Sequence, residues 1–119
     1  MTAKAASMAT AERTLVKSQP ELWQLLDQHE RMHGLMSALV GRGTEIEVIE
    51  REPETRLAWE GAVADESGAI EIEMEKKGWG THVEIKADVE PAWDGIEEWL
   101  EAVFEELSAP ERRPFRGIV

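Results

Sequence analysis

The 119-residue chain contains no cysteine, which excludes disulfide staples, thiolate chemistry and cysteine-held metal. Tyrosine is absent too, so the aromatic content rests on five tryptophans and two phenylalanines. Basic residues are scarce: 13 against 25 acidic ones give a formal net charge of −12. That charge repels a phosphate backbone and an anionic bilayer surface alike, so neither nucleic acid nor a membrane is expected as a partner. No stretch approaches the roughly 18 apolar residues of a membrane span, and none near the N-terminus has the form of a signal peptide. The cytoplasm is the expected location. The length suits one domain with a single core.

The clearest signal is at the C-terminal end. Trp93, Ile96, Trp99, Leu100, Val103, Phe104 and Leu107 recur at three- and four-residue spacing, with Glu97, Glu98, Glu101, Glu105 and Glu106 between them. This predicts an amphipathic helix from Pro91 to about Leu107, with Pro91 in the first turn and Asp94, Glu97 and Glu98 at the positive end of its dipole. Its apolar face requires a cover.

Met1–Ala11 is small and polar and reads as a flexible arm. Glu12–Lys17 reads as a strand, followed by Ser18-Gln19-Pro20-Glu21, a capped helix start. Helical spacing then runs to Val40 through Leu22, Leu26, Met32, Met36 and Leu39. Five polar residues at 27–31 interrupt it, so two short helices are expected, the second capped by Asp27. Gly41-Arg42-Gly43 closes the helical region.

Alternation of apolar and acidic residues takes over from there. Strands are expected over Thr44–Glu50, Arg56–Val63, Ala69–Glu75 and Thr81–Val89. The turns between them are placed at Glu52–Thr55, Asp65–Gly68 and Lys76–Gly80, and Gly61 is read as a bulge. The pattern predicts an α+β domain: an N-terminal strand, two short helices and an antiparallel meander, about five strands in total, wrapped on a long C-terminal helix. Residues 12–108 form this domain, and 109–119 are a tail made basic by Arg112, Arg113 and Arg116, either free or strapped onto the acidic sheet face.

Several stretches strengthen this order. Leu15-Val16-Lys17-Ser18-Gln19-Pro20-Glu21-Leu22-Trp23-Gln24-Leu25-Leu26 resembles the opening strand, Ser/Ala-Pro-Glu turn and Trp-containing helix of the START-like (SRPBCC) superfamily. Val48 to Trp59 is similar to its V-x-E-x-x-P-x-x-R-L-x-W stretch, Gly80 to Ile85 to its G-T-x-V-x-I/V strand, and Glu90-Pro91 to the sheet end of polyketide cyclase/dehydrase-like members. The similarity spans about residues 12 to 107. It implies a helix-grip fold, in which a curved sheet grips the last helix, and a module for a small hydrophobic molecule. The chain departs from the family where only Gly41-Arg42-Gly43 stands in place of an extra strand or hairpin, which narrows the sheet.

A cavity of the family's kind would lie between the second helix, the inner sheet face and the last helix. Its lining would be Met36, Trp59, Ile72, Met74, Val83, Ile85, Trp93 and Leu100, with His33 near the mouth. Such a pocket is mostly apolar with one convergent polar group, the composition of a small-molecule site. If the narrower sheet closes it, the same surfaces and Trp79 in the last hairpin suit a protein partner or a homodimer instead.

His29-Glu30-Arg31-Met32-His33 matches the zincin pattern HExxH. Charged neighbours, the break near Asp27 and the lack of a third ligand argue against zinc, so no metal and no cofactor is expected. Trp23, Trp59, Trp93 and Trp99 fall in apolar phase and read as core. Glu71, Glu73 and Glu75 read as a solvated face. No catalytic group is assignable; the enzymatic alternative, a cyclase or hydrolase, would use His33 or His29 as general base.

Overall fold

A computed structural model describes residues 6–109, which form one antiparallel sheet covered on one face by three helices. The elements are β1 (Ser7–Leu15), α1 (Gln19–Leu26), α2 (His29–Leu39), β2 (Glu45–Glu52), β3 (Arg56–Val63), β4 (Glu66–Lys77), β5 (Gly80–Glu90) and α3 (Ile96–Ser108). The strand order is β1-β5-β4-β3-β2, so the meander of β2 to β5 is closed on one side by the N-terminal strand. Residues 1–5 and the basic segment 110–119 lie outside the described residues. Among the described residues no helix is long and apolar enough to cross a membrane.

Alternation sets the two faces of the sheet. Leu57, Trp59, Ile70, Ile72, Met74, Val83, Ile85, Ala87 and Val89 point inward and are buried. On the outer face Arg56 lies between Glu50, Glu71 and Glu73 at 2.6 to 2.8 Å. The inner face is sealed by α3, through Ile96, Trp99, Leu100, Val103, Phe104 and Leu107. Next to it lie Leu22 and Leu26 of α1 and Met32, Met36 and Leu39 of α2.

Local chemistry fixes the helix ends. Ser18 caps α1 with a full capping box: its hydroxyl accepts from the Glu21 N–H, and the Glu21 carboxylate accepts from the Ser18 N–H. The expected break follows at Asp27, but Asp27 caps the end of α1, and the N-cap of α2 is Gln28, without a side-chain bond. Asp27 is instead taken by Arg51 at the end of β2, with Nε 2.9 Å from Oδ1. The Arg51 guanidinium also stacks over Trp23, 5.4 Å from the ring centroid.

Other boundaries differ from the expected ones. The first strand starts at Ser7, so residues 7–11 are sheet and not arm. They pair with β5 from Ser7↔Val89 to Ala11↔Ile85. Their inward side chains are small, Ser7, Ala9 and Ala11, and no apolar alternation marks them. The last helix starts at Ile96, five residues later than expected. Pro91 follows a cis bond, and the helix is capped by Gly95. The β3–β4 turn is the two-residue Ala64-Asp65, Ala64 at φ +53°, which leaves Ser67 and Gly68 inside β4. The bulge lies in β2 at Ile49, whereas Gly61 pairs regularly with Ile46 and Gly68.

Candidate functional site

The fold brings most of the sequence-predicted lining together. Met36, Trp59, Ile72, Met74, Val83, Ile85 and Leu100 meet in one cluster beneath α2 and α3, each 0–3% exposed. They belong to the buried core and pack on one another. Trp59 is anchored by its indole N–H, which donates to the Met32 carbonyl at 3.2 Å. Trp93 stands apart from the cluster. It precedes α3, is 39% exposed, and its backbone N–H donates to the Ser7 hydroxyl at 2.9 Å.

Two glycines explain how α2 reaches the sheet. A Cβ at Gly61 would sit 2.7 Å from Met36 Cγ and from Thr44 Cγ2, and one at Gly68 2.8 Å from Val40 Cγ2. The space the missing side chains leave is filled by the C-terminal half of α2. The narrow sheet and the close helix therefore act together: the interior is occupied by the protein's own side chains.

His33 is half-buried on α2, and its Nε2 lies 2.8 Å from the Thr44 carbonyl oxygen. A carbonyl only accepts, so Nε2 is the donor in this contact. His29, exposed one turn earlier, stacks on it with ring centroids 6.3 Å apart. The third histidine, His82, is on the outer sheet face beside Thr14 and Glu12, at 3.2 and 3.7 Å. Among the described residues no group of three or more histidine or acidic side chains is placed to hold a metal ion.

Open space lies outside the core. A groove of about 480 Å³ runs between α2 and α3. Leu35, Ala38, Trp99, Ala102 and Val103 form its apolar floor, and Gln28, Glu30, Arg31 and Glu106 its rim. Arg31 and Glu106 are ion-paired, joining the two helices. Trp99 is 7% exposed, and its indole Nε1 has no hydrogen-bond partner among the described residues; the same holds for Arg31 Nε. A larger trough of about 710 Å³ lies on the outer sheet face over Met8, Ala62 and Ala69, between Glu45, Glu47, Glu60 and Asp88. Its rim is rich in carboxylates. In the sequence Trp99 and Val103 are apolar-phase residues of the last helix and nothing more. The signal for a groove was the small residues Gly34 and Ala38 on α2 and Ala102 on α3, which leave room between two helices.

The last hairpin carries a separate feature. Trp79 is 98% exposed at its tip, beside the exposed Lys76 and Lys77. Gly80 abuts the backbone of Leu15 and Val16, and Val16 is 90% exposed. Two large apolar side chains and two lysines thus share one end of an acidic molecule.

No family model and no curated protein sequence matches the chain. Solved structures do. A Deinococcus radiodurans protein superposes with a TM-score of 0.64 at 16% identity, covering 86% of this chain and 97% of that one. The Aha1 dimer protein of Colwellia psychrerythraea gives 0.60 at 12% identity, over 89% and 99%. Ara h 8.0201 gives 0.60 at 9% identity, over 87% and 92%. The fold is the helix-grip fold. At these identities the likeness extends to the fold alone.

Proposed function

We propose that the chain is a START-like binding module for a small apolar molecule, held in the groove between α2 and α3. The observation that carries this is the contrast between a filled interior and an open, apolar-floored groove over the same helix. A volume of about 480 Å³ falls in the range of small-molecule sites, and the floor-and-rim arrangement is theirs too. Among the described residues no side chains lining the groove form a nucleophile–base pair, which favours binding over catalysis.

The test separates the groove from the interior. Titration with 2-isopropylnaphthalene, followed by tryptophan indole N–H resonances, should be saturable. Ala102→Trp, which fills the groove from an exposed position, should abolish it with the fold retained. Binding that survives Ala102→Trp but is lost with Leu100→Trp would place the ligand among the interior residues around Trp59 and Ile72, next to His33. No saturable binding at all would remove the reading.

A second reading, a protein contact or homodimer through the hairpin tip, is favoured by the exposure of Trp79. Lys76 and Lys77 beside it complement the acidic outer sheet face of another copy. Sedimentation should then show a dimer or larger species that Trp79→Ala dissociates; a monomer at all concentrations would dismiss self-association.

A further inference from the structure

The hairpin tip and the outer trough stand at opposite ends of β4 and β5: Lys77 pairs with Gly80 at one end, Ser67 with Glu90 at the other. Strand spacing puts Trp79 roughly 30 Å from Asp88, so no molecule reaches its own trough with its own tip. The register shows what the trough is made of. One row across the outer face runs Glu47, Glu60, Ala69, Asp88, Met8. The next places Ala62 and Ser67 side by side between Glu45 and Glu90. Small side chains thus leave a depression over β3 and β4, walled by carboxylates on both sides. Glu47 and Glu60 face each other directly, a like-charge pair that costs stability. Among the described residues no ion pair includes Glu45, Glu47, Glu60, Asp88 or Glu90, and no basic residue lines the trough. The other half of the outer face differs, since Arg56 neutralises Glu50, Glu71 and Glu73 there.

We infer that the trough receives the hairpin tip of a second copy, head to tail. The Trp79 indole lies on Ala62 and Ala69, and Lys76 and Lys77, which project to opposite faces of the hairpin, meet the carboxylate walls. This rests on the tip being a self-association contact and adds the surface that receives it. The fit is one of shape and charge: an aromatic ring that buries about 150–250 Å² enters a depression floored by small residues, and two lysines bring the cations that the trough lacks in its own molecule. A two-fold pairing of outer faces is disfavoured, because it would set Glu73, Glu75 and Glu84 against their own copies. A head-to-tail contact does not close on two molecules. Repulsion from the net charge of −12 is screened over about 8 Å at physiological salt, so the groups in contact decide.

The test uses two variants at exposed positions: Trp79→Ala, which removes the tip, and Glu60→Lys/Asp88→Lys, which puts cations on both sides of Ala69. A contact this small is transient, so sedimentation is followed up to about 1 mM protein. The unaltered protein should pass beyond a dimer as its concentration rises. Each variant alone should stay monomeric, and their equimolar mixture should form a dimer and stop there, since only one intact tip and one intact trough can meet. Without any variant, the Trp79 indole and Ala69 amide resonances should move together when the unaltered protein is diluted. A Glu60→Lys/Asp88→Lys protein that associates as the unaltered one does, or a mixture that stays monomeric while the unaltered protein associates, overturns the inference and leaves the tip as a contact with another surface. Ala69 shifts that follow replacement of Arg112, Arg113 and Arg116 by Gln, and not dilution, name the basic tail as the occupant and overturn it too. An unaltered protein that is monomeric at every concentration removes self-association through the tip, and this inference with it.

Discussion

Gly61 and Gly68 are direct partners across β3 and β4, and together they form the bare patch on which the end of α2 rests. Met36 and Thr44 lie over the first, Leu39 and Val40 over the second. A methyl at Gly61 has nowhere to go, since Met36 is fully buried and the Glu45 carbonyl is 3.0 Å away.

Gly61→Ala should therefore destabilise the fold by about 1–3 kcal/mol through overpacking, more than offsetting the entropy that alanine removes from the unfolded chain. Gly34→Ala is the control. Gly34 is helical and exposed with nothing within 4 Å of a Cβ, so alanine should stabilise by about 0.5–1 kcal/mol. Urea denaturation of the two variants reads both signs. A stable Gly61→Ala protein would mean that α2 does not sit on the sheet as described.

The Asp27–Arg51 pair makes stability depend on pH in a definite direction. Its hydrogen bond to Arg51 holds the Asp27 carboxyl below the usual carboxylate range. A depressed folded value means that the contribution is present in full above the unfolded value, about 3.9, and is lost as pH falls through the folded one. Asp27→Asn should lower the melting temperature at pH 7, and the gap from the unaltered protein should close as pH drops below about 4. A gap that stays constant across that window would show that the charge of Asp27 contributes nothing.

Helix α3 supplies the largest apolar cover of the sheet, and each large side chain it buries is worth about 1.5–3 kcal/mol against a net stability of about 5–15. A chain ending at Glu90 should be unfolded or aggregated. The single change Leu100→Ala, at a site 2% exposed, should cost about 2–5 kcal/mol. Circular dichroism melts distinguish these outcomes. A cooperative transition in the truncated chain would show that the sheet is held from elsewhere.

The parts of the fold that were legible in the sequence are those where burial alternates strongly. Ile70-Glu71-Ile72-Glu73-Met74 marks β4 because one face is core and the other meets water. β1 before Glu12 was not legible, because Ala9 and Ala11 face inward and small residues give no contrast. The start of α3 was misplaced because Trp93 falls in helical phase with Trp99 and Leu100. The structure instead folds the Trp93 ring over Gly95, where a Cβ would stand 2.5 Å from the ring. Seven of the residues expected to line a cavity share one buried cluster, and Trp93 and His33 lie outside it. What the sequence could not convey is that Gly61 and Gly68 let α2 descend into the interior, since a glycine in a strand signals a bulge as readily as a close approach. The groove went unseen for a related reason: it depends on the side-by-side placement of two helices distant in the chain.

The HExxH string can be judged by the partner its second histidine already has. His33 Nε2 donates to the Thr44 carbonyl, and Thr44 is itself buried, its hydroxyl donating to the Gly41 carbonyl at 2.7 Å. The ring thus ties α2 to the loop that starts β2, and taking a metal through Nε2 would break that tie. His33→Ala should cost about 1–3 kcal/mol, the penalty of leaving a buried carbonyl without its donor. His29→Ala, at an exposed position, should stay within about 0.5 kcal/mol of the unaltered protein. Zinc should not rescue the difference: a metal bound at a hundred times its dissociation constant would stabilise by about 2.7 kcal/mol, a rise in melting temperature that is hard to miss. Thermal melts of the unaltered protein with and without added zinc should superimpose. A rise that disappears in both His29→Ala and His33→Ala would show that the histidine pair binds metal.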